Sequence, residues 1–167
     1  MQRYRRRIPS KFLRRTQARR REQTDEMCYT LLLSTTSGDD LSQFNSEALK
    51  FESTIPDGLS FSDLLHPNKW YVGSRTGCSC SFRHLAGPEF DFGVPQDWFP
   101  EEQADIEATL LFIRVVRSLL ASGARVDCID VWQGHASEAI PWVSVNLGLI
   151  PDEEFRFFEN HHFDFME

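Results

Sequence analysis

The residues with the most chemical potential lie in the run Trp70 to Arg83, WYVGSRTGCSCSFR, followed at once by His84. Two thiols, two guanidinium groups and an imidazole fall close together, and their spacing discriminates among three kinds of chemistry. A phosphate cradle of the phosphatase or rhodanese type separates its cysteine from its arginine by five residues, because the loop amides must wrap the anion. Four residues separate Cys78 from Arg83, and the required spacing falls on His84, so that chemistry is excluded. A closed zinc site takes four N or S ligands. Cys78, Cys80 and His84 offer three, with Cys28, Cys128 or His66 as a fourth, but no second paired motif accompanies them. A thiol nucleophile or redox centre needs an accessible thiol with a depressed pKa, which Arg75 or Arg83 would favour. His84, four residues after Cys80, is the nearest base. The plain alternative makes one cysteine a small buried hydrophobe and the other a half-exposed turn residue. Trp70, Arg75 and Arg83 are the side chains of this stretch suited to contact a ligand.

These groups need elements to position them. Trp70, Tyr71 and Val72 are strand formers, and Gly73 and Gly77 bracket a small polar turn, so the stretch reads as strand, turn, strand. A second strand over Ser79 to Phe82 would point Cys78 and Cys80 to one face, with Cα atoms about 6.6 to 7 Å apart. That separation is at the outer limit for a disulfide, so a bridge would need the bend that Gly77 allows.

The clearest element is a helix from Pro100 to Ser122. Ile106, Leu110, Ile113, Val116 and Leu120 recur at threes and fours, acids lead at Glu101, Glu102 and Asp105, arginines close at Arg114 and Arg117, and Gly123 follows. Cys28 to Ser34 is an apolar run of strand length. Ser34 to Asp40 is a turn whose aspartates suit a helix cap better than an anion site. Ala48 to Ile55 alternates as a strand with one wet face and stops at Pro56 to Gly58. Leu59 to Asn68 is one helical turn before Pro67, with His66 on the surface. Leu85 to Pro100 is a long connection pinned by Phe90, Phe92, Trp98 and Phe99.

Arg125 to Trp132 reads as a strand after the helix, and ligands in such α-β units often sit off strand ends. His135 with Glu138, or Asp130 with His135, would then be an acid-base pair, set against a solvated loop histidine. Pro141 to Leu147 is another half-buried strand. Glu153 to Met166 pairs phenylalanines at period two and reads as a hairpin or a final strand. In an extended chain His161 and His162 face opposite ways and cannot share one metal.

Charge divides the chain. Residues 1–26 carry ten Lys or Arg against three Asp or Glu, whereas residues 27–167 carry net −14. The acidic part repels phosphate backbones and anionic membranes. The basic segment reads as a disordered extension outside the core. It is taken first as sequence upstream of a true start at Met27, and otherwise as an unstructured nucleic-acid arm, a transit peptide or a helix docked on the acidic body. Four irregularly spaced cysteines and no apolar run of signal or membrane length point to the cytoplasm.

The expectation is an α+β domain over residues 27–167: a mainly antiparallel sheet of about five to seven strands, with one long helix, residues 100–122, packed on one face. No family signature is present. The functional expectation is a non-catalytic binding or regulatory module with a protein or small-molecule partner. A thiol-dependent or zinc protein using Cys78, Cys80, His84 and Cys28 is the alternative, and nucleic-acid binding through the arginine-rich arm is the second. No cofactor is required; zinc is the one the Cys loop would take.

Overall fold

Apolar runs, spaced by polar turns, set the strands. The computed structural model describes residues 28–54, 62–75, 77–85, 87–88, 92, 101–132 and 139–167. Strand β1 (Tyr29–Thr35) is followed by β2 (Leu49–Glu52), β3 (Asn68–Ser74) and β4 (His84–Leu85). Helix α1 (Gln103–Ala121) comes next, then β5 (Val126–Trp132), β6 (Trp142–Asn146), β7 (Phe157–Phe158) and β8 (His161–Met166). Six strands form one sheet in the order β2-β3-β1-β5-β8-β6, and β4 and β7 pair separately. The large sheet is antiparallel except where β6 runs parallel to β8. No described helix is long and apolar enough to cross a membrane.

Alternation decides which face is core. Leu31 and Leu33 of β1 pair with Val72 and Trp70 of β3 and with Asp130 and Cys128 of β5, and this face meets α1. The helix buries Phe112, Ile113, Val116 and Leu119 against it. Ser122 and Gly123 close α1 through backbone donors to Leu119 and Leu120, and Gly123 takes a φ of 85° that only glycine adopts at little cost. The small sheet is a wedge between helix and large sheet: the Phe157 ring lies 5.2 Å from Phe112 and 5.7 Å from Phe163. The expected class, the long helix and its place on one face are all present.

Some local expectations differ. Ser79 to Phe82 is a run of turns and bends, not a second strand. The cause is Ser79, whose buried hydroxyl accepts from Leu31 N at 2.9 Å and donates to Val72 O at 2.6 Å, tying the loop across two strands. Residues 62–67 form turns rather than a helical turn, because the Leu65 and His66 amides donate to side chains of the sheet. Of the two readings of the last segment, the final strand is present as β8, which inserts between β5 and β6, while β7 joins β4 rather than forming a hairpin with it. Asn160, with a φ of 57°, makes the reversal between them. The extension 1–26, His135, Glu138 and most of the 85–100 connection lie outside the described residues.

Candidate functional site

Strand β5 carries two aspartates three residues apart, so they leave the sheet on opposite faces, and both are fully buried. A buried carboxylate is tolerated only when its charge is paired or its oxygens are hydrogen-bonded. Each aspartate has therefore acquired histidine, and these two clusters are the strongest concentrations of titratable groups in the described chain.

Asp127 faces away from α1. Ser34 Oγ donates to its Oδ1, the Leu65 amide donates to Oδ2 at 3.2 Å, and His162 Nε2 lies 2.6 Å from Oδ2. His66 Nε2 approaches Oδ1 at 3.9 Å, and the His66 amide donates to Ser34 Oγ at 2.9 Å. His66, expected at the surface, is thus buried under this cluster. Trp142 stacks on the His162 ring at 3.6 Å and covers it from solvent. A serine nucleophile needs an imidazole to take its proton and a carboxylate to orient that imidazole. Here the carboxylate stands between hydroxyl and imidazole, so the set latches residues 64–66 onto the sheet and has no activated nucleophile.

Asp130 faces α1. His84 Nε2 lies 3.3 Å from its Oδ2, while His84 Nδ1 donates to Phe82 O at 2.9 Å. The Tyr29 ring stacks on His84 at 4.0 Å, and the Tyr29 hydroxyl donates to Glu159. Burial, the largest influence, lowers the His84 pKa, but the Asp130 charge overcomes it and leaves the imidazole raised. Burial pushes the Asp130 carboxyl up, with His84 opposing. Both oxygens of Asp130 lack a well-formed hydrogen bond among the described residues, so the ionic contact with His84 is the main compensation, with His161 adding to it. Among the described residues Asp130 is paired with His84; His135, the partner expected for it, lies outside them. With both ring nitrogens engaged, His84 has no lone pair to offer Cys80 as a base.

The Cys loop meets the start of β1. A Cβ on Gly73 would come within 2.8 Å of Gly77 O, so only glycine lets the turn close, and the Ser74 amide and hydroxyl both donate to Cys78 O at 2.8 Å. Cys80 receives the Tyr29 backbone N–H and contacts Cys78 side chain to side chain. Burial, with the neighbouring thiols, pushes the Cys80 thiol up to about 12 against that amide. Arg83, expected to lower a thiol pKa, points elsewhere. Its Nε and Nη2 donate to Glu101 at 3.0 and 2.8 Å, and Arg156 grips the same carboxylate at 2.5 and 3.2 Å. Burial would raise Glu101, but the two guanidinium groups hold it below the usual carboxylate range.

Trp70 packs partly buried against the core with its indole N–H enclosed, and Arg75 lies exposed beside a shallow cleft with Ser46, Glu47 and Lys50. A second groove, about 220 Å³, runs between Phe44 and Leu111, below the usual size of a small-molecule site. Cys78, Cys80 and Cys28 are drawn together, but His84 is turned away to Asp130. Among the described residues no three His, Cys, Asp or Glu side chains converge to hold a metal. Sequence reasoning missed Ser34, Asp127, Glu101, Arg156 and Glu159. The available signal was Asp127 and Asp130 inside an apolar run, since a strand buried on both faces must pair any acid it carries. Compared with known proteins, the chain matches no family model, no curated protein and no solved structure.

Proposed function

We propose that this protein is a non-catalytic binding module that takes an extended, basic segment of a partner protein along the outer edge of β6. The observation that carries the reading is the state of that edge. Strand β6 is the outermost strand of the described sheet beyond β8, so alternate N–H and C=O groups along it face away from every other described strand. Edges left open in this way accept an added strand, with main-chain bonds for affinity and side-chain contacts for specificity. Trp142, 55 % exposed, stands at its start, and Leu149, 81 % exposed, lies just past its end. Asp164 on the adjoining strand, with exposed Glu153 and Glu167 nearby in sequence, favours a basic visitor. The buried acid-histidine clusters support the same reading, since their polar groups are spent on one another rather than aimed at a substrate. We place the protein in the cytosol, where four free thiols are the resting state.

The test is binding of an array of unstructured Lys- and Arg-containing peptides to the full chain, with amide exchange followed across β6. Binders should protect β6, and Trp142→Ala and Ser144→Pro, which removes an edge donor at an exposed position, should each weaken them about tenfold. Equal binding by the parent and both variants, or protection confined elsewhere, overturns the assignment.

A further inference from the structure

Three of the four cysteines gather at one corner, where the loop after β3 reaches the first residue of β1. Cys28 is exposed, Cys78 and Cys80 are half-buried, and Cys128 is buried in the sheet; none is in a disulfide. The Tyr29 amide, which is bonded directly to the Cys28 carbonyl carbon, points at the Cys80 sulfur, so the chain delivers Cys28 to within one residue of that thiol. We propose that Cys28 and Cys80 form a thiol–disulfide exchange site, with Cys28 as the entering thiol, Cys80 as the resolving thiol and a low-molecular-weight disulfide of the glutathione type as oxidant.

The pairing follows from what each backbone would lose. Cys78 O accepts two hydrogen bonds from Ser74, and Ser79 between the two loop cysteines is bonded to both Leu31 and Val72. Drawing Cys78 and Cys80 into a tight bridge would distort this pinned turn. Cys28 precedes the first ladder pair, Tyr29 with Trp132, and shifts without breaking sheet hydrogen bonds. Exposure makes it the thiol that a small oxidant reaches first.

In the first step the Cys28 thiolate attacks one sulfur of the oxidant, forming a mixed disulfide and expelling one thiolate. Cys80 then gives its proton to solvent and attacks the Cys28 sulfur, expelling the second thiolate. Two protein thiols are oxidised to one disulfide and one small disulfide is reduced to two thiols, so atoms and electrons balance. Low-pKa thiols make a disulfide oxidising because they stabilise the reduced state. The Cys80 thiol is raised to about 12 and supplies no such stabilisation, so the second step is slow and the bridge, once closed, resists reduction.

The experiment exposes the full chain to oxidised glutathione, quenches it with an alkylating agent and maps thiols by tandem mass spectrometry. The expected parent product has two of its four thiols blocked in a Cys28–Cys80 bridge. Cys80→Ser should stop at a lasting glutathione adduct on Cys28, and Cys28→Ser, a change at an exposed position that the fold tolerates, should form no bridge under the same exposure. A Cys78–Cys80 bridge, a parent that keeps its Cys28 adduct as Cys80→Ser does, or a parent with all thiols still alkylatable overturns the proposal. Each variant is checked for the parent's circular dichroism before its thiols are counted.

Discussion

At the scale of single residues, two aspartates and two arginines are buried with partners of their own. Asp130 and His84 share a buried contact at 3.3 Å on the helix side of the sheet, and each holds its proton more tightly than in the unfolded chain. A group whose folded pKa is raised contributes stability below its unfolded pKa and loses it as pH rises through the folded value. For His84 that window opens above its ordinary 6.5. The unfolding free energy from guanidinium titration should therefore fall as pH rises from neutrality, by at most about 1.4 kcal/mol per pH unit for one proton. His84→Gln should flatten this slope even if it lowers stability overall. An unchanged slope in the variant would mean that the pair does not titrate with folding.

At the scale of elements, one carboxylate joins three pieces of chain. Glu101, just before α1, receives Arg83 at the start of β4 and Arg156 at the start of β7. Both arginines also donate to backbone carbonyls, Arg83 to Glu153 and Phe155, and Arg156 to Phe92 and Glu154. Removing one partner of a buried ionic set costs more than the set contributes, because the remaining charges stay buried without compensation. Glu101→Gln should thus destabilise the fold by about 3 kcal/mol in denaturant titration. A cost below about 1 kcal/mol would place the clamp with ordinary exposed ion pairs. The same reasoning explains why Arg83 is unavailable to the thiols five and three residues before it.

At the scale of the whole molecule, the phenylalanines make helix, small sheet and large sheet one unit. Phe157 touches Phe112 of α1, Phe155, and Phe163 of β8, at centroid distances of 5.2, 5.1 and 5.7 Å. A wedge buried on both sides cannot melt without exposing both layers, so circular dichroism and tryptophan fluorescence should report one coincident transition. Phe112→Ala should lower stability by about 3 to 5 kcal/mol while keeping that coincidence. Two separated transitions in the parent would show that the small sheet unfolds independently.

The sequence by itself determined the elements and their sides. The apolar run CYTLLLS, the strand formers of RVDCIDVW, the threes and fours from Ile106 to Leu120, and the opposite facing of His161 and His162 in an extended chain are all local signals, and a local signal needs no partner to be read. Only the tertiary structure decided which groups meet. Ser79, one hydroxyl in a turn, replaced an expected strand by bonding β1, far away in sequence, together with the preceding strand β3. Asp130 found His84, far earlier in the chain, and Arg83 found Glu101 rather than the thiols beside it. These choices depend on strand order, and strand order is set by the burial of all six strands and the helix together. Spacing along the chain carries no record of it.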